Sequence, residues 1–364
     1  MHFLLLFPFF LLLSFQNFLG VFPARTIPAV TVDATSAWRN FANFVNLEKG
    51  SRATGVCDLK QYFHHFGYLP SPATPLTPAN FSDEFDSELE TAILTYQKNL
   101  GLPITGKLDV DTVDLIMAPR CGLGDNHSHA TTLTNTRLHE TRHYAYFAGR
   151  PRWPEAKPIN LTYAFDKDHI INYINYDTIR AVFKRAFARW SDVIPVNFME
   201  VENYRKAEIK IAFFKGDHGD GEPFDGVLGV LAHAFSPENG RLHLDAAETW
   251  AVDFDTQESS VAVDLESVVT HEIGHVLGLA HSSVKDAIMY PSLRPRSKKV
   301  DLRIDDVEGV QALYGSNPNF NYGSLLESEE TSDGGVGGGR RGFSAFGLSI
   351  WSLWIVMSLI QLVV

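Results

Sequence analysis

The sequence predicts an α+β chain: a small all-helical unit over residues 51–125, then a larger region, 144–315, where strands and helices alternate around one histidine-bearing helix. Three observations predict it. Leu59, Tyr62, Phe63 and Phe66, and then Leu89, Ala92, Ile93, Tyr96 and Leu100, recur at helical spacing. Ile159 to Phe165 alternates as a strand does. His271 and His275 lie four residues apart, which places both imidazoles on one face if the segment is helical.

Composition sets outer bounds. A chain of 364 residues with 45% apolar content has material for two domains and processing segments. Its net charge of −12, with no long basic run, speaks against a nucleic-acid partner. Residues 1–24 read as a secretory signal, apolar from Phe3 to Leu13 with small residues at Ala24 and Ala29. Sequons at Asn80, Asn126 and Asn160 agree with passage through the secretory pathway.

The helical unit comes first. Gly101 and Pro103 end its long helix, and Asp109 opens a short one. Pro119-Arg120-Cys121-Gly122-Leu123-Gly124-Asp125 follows. A deprotonated Cys121 is an excellent zinc ligand, and Arg120 and Asp125 are spaced to pair across the loop. A Cys57–Cys121 disulfide is the alternative, since these are the two cysteines of the chain. Residues 126–150 are polar, rich in Thr and His, and read as an exposed linker open to proteases, with 126–143 as the part removed or cut.

Beyond the 159–165 strand, Asp177 is expected to cap a helix whose stripe is Ile179, Val182, Phe183, Ala186, Phe187 and Trp190. Val196 to Val201 and Ile209 to Phe214 read as strands. His218, Asp220, His233 and His243 form a complete tetrahedral donor set, which suits a closed, structural zinc. Asp225, Gly226, Asp245 and Glu248 supply hard oxygen donors that suit calcium. Residues 260–280 read as a buried helix carrying His271, Glu272 and His275. For His281 to join the same metal the chain must turn after His275, and Gly278 can take the positive φ required. Three imidazoles leave an open zinc position for chemistry, with Glu272 free to move protons. Residues 305–315 read as a last helix ended by Gly315. Residues 316–342 are a Ser-, Glu- and Gly-rich stalk. The apolar block 343–364, preceded by the small residues Ser332, Asp333 and Gly334, has the layout of a GPI-attachment signal, with a transmembrane helix as the alternative.

The His271 to His281 pattern with Ala287-Ile288-Met289-Tyr290-Pro291 resembles the metzincin signature and its Met-turn, and its surroundings are most similar to the matrix metalloproteinases. Residues 119–125 resemble the cysteine switch of that family in its plant form. Phe85-Asp86 through Tyr96-Gln97 and Gly101-Leu102 resemble its peptidoglycan-binding-like propeptide. The resemblance implies a twisted, mostly parallel five-stranded sheet with three helices, and a latent state in which Cys121 fills the fourth position of the catalytic zinc. It also implies a second, structural zinc, calcium, and a mature N-terminus near Tyr144 whose ammonium meets Asp305 or Asp306. Arg241 and the short Ser236 to Gly240 loop depart from the family pattern, so a second calcium is not expected.

Substrate is expected to add as an antiparallel strand along Gly229 to Ala234, with Ser267 leaving room for a large apolar side chain. The implied protein is a secreted or GPI-anchored zinc endopeptidase, inhibited by its own propeptide and acting on extracellular proteins. The rival class is a non-catalytic cell-surface zinc module, against which the presence of Glu272 weighs.

Overall fold

Side-chain caps decide where the N-terminal helices begin. In the computed structural model, which describes residues 38–70, 81–125, 128–129, 143–154, 159–323 and 325, Asp83 accepts the N–H groups of Gly55 and Cys57 at the start of α1 (Val56–His65). Asp86 caps α2 (Ser87–Asn99) through the Leu89 N–H, and Asp109 caps α3 (Val110–Ile116) through that of Thr112. Each satisfies an amide that a helix N-terminus leaves orphaned. The three helices close over Leu59, Phe63, Phe66, Leu89, Ile93 and Tyr96. Buried Gln97 ties down the loop between α2 and α3. Its amide nitrogen donates to Thr105 Oγ1, Lys107 O and Thr112 Oγ1, and its oxygen accepts from the Thr105 and Gly106 N–H groups.

The larger region is built on one sheet. Its strands are β1 (Arg120–Cys121), β4 (Ile159–Phe165), β5 (Val196–Glu200), β6 (Ile209–Phe214), β7 (Val230–Ala234) and β8 (Arg241–Asp245), in the order β1-β7-β8-β6-β4-β5. All pairings are parallel except β7 with β8. The five strands expected are therefore present, and a sixth, β1, comes from the segment that follows the helical unit. Two short pairs complete the strand set: β2 (Ser128–His129) with β3 (Ala145–Tyr146), and β9 (Trp250–Ala251) with β10 (Val263–Asp264). Tyr144, Ala145 and Tyr146 are buried, so the exposed linker does not reach 150 as its polar composition suggested.

Helix α4 (Tyr176–Val193) buries the expected stripe, and Trp190 donates to the Thr270 carbonyl of α5 (Leu265–Val276) at 3.0 Å. Truncating a Trp buried to this degree costs about 3–5 kcal/mol. Two boundaries differ from expectation. Asn175, whose side chain accepts the Asp177 N–H, caps α4 in place of Asp177. Helix α5 begins at Leu265, since Asp264 caps it through Ser267 while Val263 and Asp264 pair as a strand. Helix α6 (Ile304–Tyr314) ends at Gly315, whose φ is 82°.

The chain divides after Phe320, and of the second unit only 321–323 and 325 are described. The signal segment, Asn80, Asn126, the stalk beyond 325, Ser332, Asp333, Gly334 and the apolar block 343–364 lie outside the described residues. Asn160 is exposed on β4. Among the described residues no helix is long and apolar enough to cross a membrane.

Candidate active site

Helix α5 presents His271 and His275 one turn apart, and the chain then reverses at Gly278, where φ is 100°. A Cβ there would also lie 2.3 Å from the Pro151 carbonyl oxygen, so glycine is required twice over. The reversal returns His281 to the first two histidines. Their Nδ1 atoms stand 2.7 Å from the Ile288 carbonyl, 2.8 Å from the Leu279 carbonyl and 2.7 Å from the Asp125 carboxylate, for His271, His275 and His281 respectively. Carbonyl and carboxylate oxygens only accept, so each Nδ1 carries the proton and each Nε2 keeps its lone pair.

Those Nε2 atoms and the Cys121 sulfur converge: one ligand atom from each of the four residues lies within 4.8 Å of all the others. His271 Nε2 is 3.0 Å from His275 Nε2, and Cys121 Sγ is 3.4 Å from the latter. Nitrogen ligands around a tetrahedral zinc stand about 3.3 Å apart, which matches this spacing. Burial lowers His271 well below its usual range and His281 to about 3, which holds these two neutral. Burial, and then the neighbouring Glu272 carboxyl, push the Cys121 thiol well up, so a thiolate here needs a cation as counter-charge. The donor set fits zinc. Glu272, fully buried, is raised to about 8 by burial.

Beneath the histidines lies the Met289 turn. Gly274 faces it so closely that a Cβ would meet the Met289 sulfur at 2.2 Å. Asp306 fastens the turn by accepting the N–H groups of Ile288, Met289 and Arg303 at 2.8, 3.0 and 2.8 Å. That occupation leaves Asp305, which accepts from His143 N and Ser282 Oγ, as the member of the pair turned toward the start of the larger region.

The propeptide segment occupies the cleft as an added strand parallel to β7. The N–H groups of Arg120 and Gly122 bond the Gly229 and Ala232 carbonyls, and on the other side Cys121 N–H bonds Pro291 O while Leu293 N–H bonds Pro119 O. Arg120, fully buried, stacks 3.7 Å over the Phe66 ring and pairs with Asp125 at 2.7 Å. Both cysteines are free, which removes the disulfide alternative: Cys121 points at the histidines and Cys57 lies on α1. The Asp125 contact to His281 was not foreseen, because the two residues are 156 positions apart and nothing local marks the pairing.

A second cluster gathers His218, Asp220, His233 and His243. Asp220 Oδ2 lies 3.0, 2.9 and 2.8 Å from a ring nitrogen of the three histidines in turn, and His233 Nε2 is 3.3 Å from His243 Nδ1. Burial lowers His233 and His243 to about 4, keeping them neutral. This closed set of three imidazoles and one carboxylate fits a structural zinc with no open position.

Nearby, burial raises Asp225 to about 6 and Glu248 to about 8, and Asp245 is raised too, with repulsion from neighbouring carboxylates adding to Asp225 and Glu248. Asp245 Oδ2 and Glu248 Oε2 are buried without a hydrogen-bond partner. Gly226 takes a φ of 96° in the loop that leads to β7, and its N–H faces Asp245. Buried, mutually repelling and partly unsatisfied carboxylates are what a hard cation would relieve.

Comparison with known proteins agrees with this architecture. The matrixin family model matches residues 152–315, and a peptidoglycan binding domain model matches residues 52–116. The chain is similar to metalloendoproteinase 1-MMP of Arabidopsis thaliana, 55% identical over 83% of this chain and 80% of that protein. It is also similar to metalloendoproteinase 4-MMP of the same plant, at 58% over 76% of this chain and 78% of that one. Metalloendoproteinase 1 of Glycine max is 43% identical over 82% of this chain and 94% of its own length.

Proposed function

From the premise that this chain belongs to the matrixin family and is a zinc-dependent metalloendopeptidase, we propose that it is made as a latent, secreted zymogen and cleaves extracellular proteins before apolar residues. The observation that carries this reading is the Cys121 sulfur among the three histidine nitrogens, next to Glu272. His271, His275 and His281 would hold the catalytic zinc, which supplies Lewis acidity toward water and a peptide carbonyl.

The chain's own residues do the rest. Glu272 takes a proton from the attacking water and delivers it to the departing amine, and burial suits its pKa to both tasks. Once residues 119–122 leave, the Gly229 and Ala232 carbonyls that they occupy are open to pair with an extended substrate. The cavity beside Glu272, lined by Leu231, Val268 and Ile288, receives the side chain after the cleaved bond. While Arg120 and Cys121 fill this edge, substrate is kept out. Asp225, Gly226, Asp245 and Glu248 hold calcium, and His218, Asp220, His233 and His243 a structural zinc. After the linker is cut, the ammonium near Tyr144 pairs with Asp305. Residues 343–364 direct a GPI anchor, placing the enzyme on the outer face of the plasma membrane.

The test is Glu272→Ala in the activated enzyme. Zinc content should be unchanged while kcat/KM on peptides falls at least about a hundredfold, the low end for loss of a general base. Peptide cleavage within tenfold of the native rate would sink the mechanism.

A further inference from the structure

The cavity beside Glu272 is bounded on one side by Cys121, His271 and Glu272. Its walls are largely apolar. Ser267 lies one helical turn before His271, and its Oγ accepts the Lys299 N–H at 2.7 Å, which ties the Lys299 backbone to that helix.

Lys299 lines this same cavity. Its ammonium donates to the carbonyls of Ala287 at 2.7 Å and Lys285 at 3.3 Å and stands 5.5 Å from the Tyr290 ring centroid. The adjacent Lys298 is paired with the carboxylates of Asp264 and Glu266, whereas the groups on Lys299 are two neutral carbonyls and a phenol ring. An ammonium has three donors, and two are placed by these contacts. Burial lowers Lys299 to about 8, with Asp306 and Asp286 only partly offsetting it, as befits a cation short of negative charge.

We propose that Lys299 is a specificity residue whose ammonium recognises a terminal carbonyl oxygen on the entering side chain, so that glutamine is accepted beside the apolar residues favoured by the walls. The inference rests on the reading above, in which this cavity receives the residue after the cleaved bond. Methionine and glutamine have stems of equal length and differ at the tip, so the pair isolates the oxygen. In a wholly apolar cavity the amide would be desolvated without a partner and glutamine would be rejected. Here a charge-assisted hydrogen bond replaces the lost water.

The experiment measures kcat/KM of the activated enzyme on three peptides that differ only in leucine, methionine or glutamine after the scissile bond. Native enzyme should cleave the glutamine peptide within about tenfold of the methionine one, and Lys299→Met should lower the glutamine-to-methionine ratio a further tenfold or more. Because the ratio is taken within one preparation, the fraction of active enzyme cancels. Methionine favoured by more than tenfold in the native enzyme overturns the proposal, even if the variant does not fold. So does an unchanged ratio in Lys299→Met. Failure to cleave any of the three peptides would instead remove the endopeptidase reading, and this inference with it.

Discussion

Individual side chains differ in how openly the sequence declares them. His271, Glu272, His275 and His281 were legible because their chemistry is local: helix spacing brings the first two together and Gly278 returns the third. Asp125 was half legible, as the partner of Arg120, but its second bond to His281 depends on docking a separate helical unit. Lys299 gave no sign, since residues 294–301 have no periodicity to show which side faces the cleft. The carboxylates Asp225, Asp245 and Glu248 carry a testable consequence at this scale. Glu248 has a folded pKa of about 8 against 4.5 when exposed, so its burial favours folding below pH 4.5 and turns against it as pH rises toward 8. Calcium-free protein with its zinc in place should therefore lose melting temperature between pH 5.5 and 7.5, and added calcium should flatten that loss. A melting temperature independent of calcium at pH 7.5 would count against the site.

Elements were read well where one face decides them. The stripe of α4 and the alternation of β4 were plain, but their ends were not. Val261 and Val263 belong to the apolar run that reads as one buried helix, yet Val263 and Asp264 pair with Trp250 and Ala251, and the Asp264 cap starts α5 at Leu265. Asn175 and Asp177 compete as caps two residues apart, and the bond from Asp177 N–H to Asn175 decides between them. The end of α5 is set more firmly. At Gly278 any side chain meets both a left-handed φ and the Pro151 carbonyl. Gly278→Ala should cost about 1–3 kcal/mol of stability and reduce bound zinc, because it displaces the return of His281. Thermal denaturation and metal analysis would check this, and normal zinc with native stability would refute it.

For the whole molecule, the sequence showed two units and their separate chemistries but not how one completes the other. Parallel addition of β1 to β7 turns a five-stranded sheet into six strands, and it does so with the segment that carries Cys121. Arg120 holds that segment through Phe66 and Asp125, all within the propeptide. Arg120→Ala would leave the buried Asp125 without its cation, a loss of about 3–5 kcal/mol for a broken buried pair. The full-length variant should therefore cleave peptides before any propeptide removal, and a variant as silent as the native zymogen would show that latency lies elsewhere. Latency then turns on whether Cys121 holds the position needed by the attacking water, and X-ray absorption at the zinc edge, on full-length and activated protein, decides it. With both zinc sites filled, the full-length protein should show one sulfur per pair of zinc ions among nitrogen and oxygen ligands, and the sulfur should vanish on activation. A full-length protein with only nitrogen and oxygen around zinc, and a freely titratable Cys121, would contradict it.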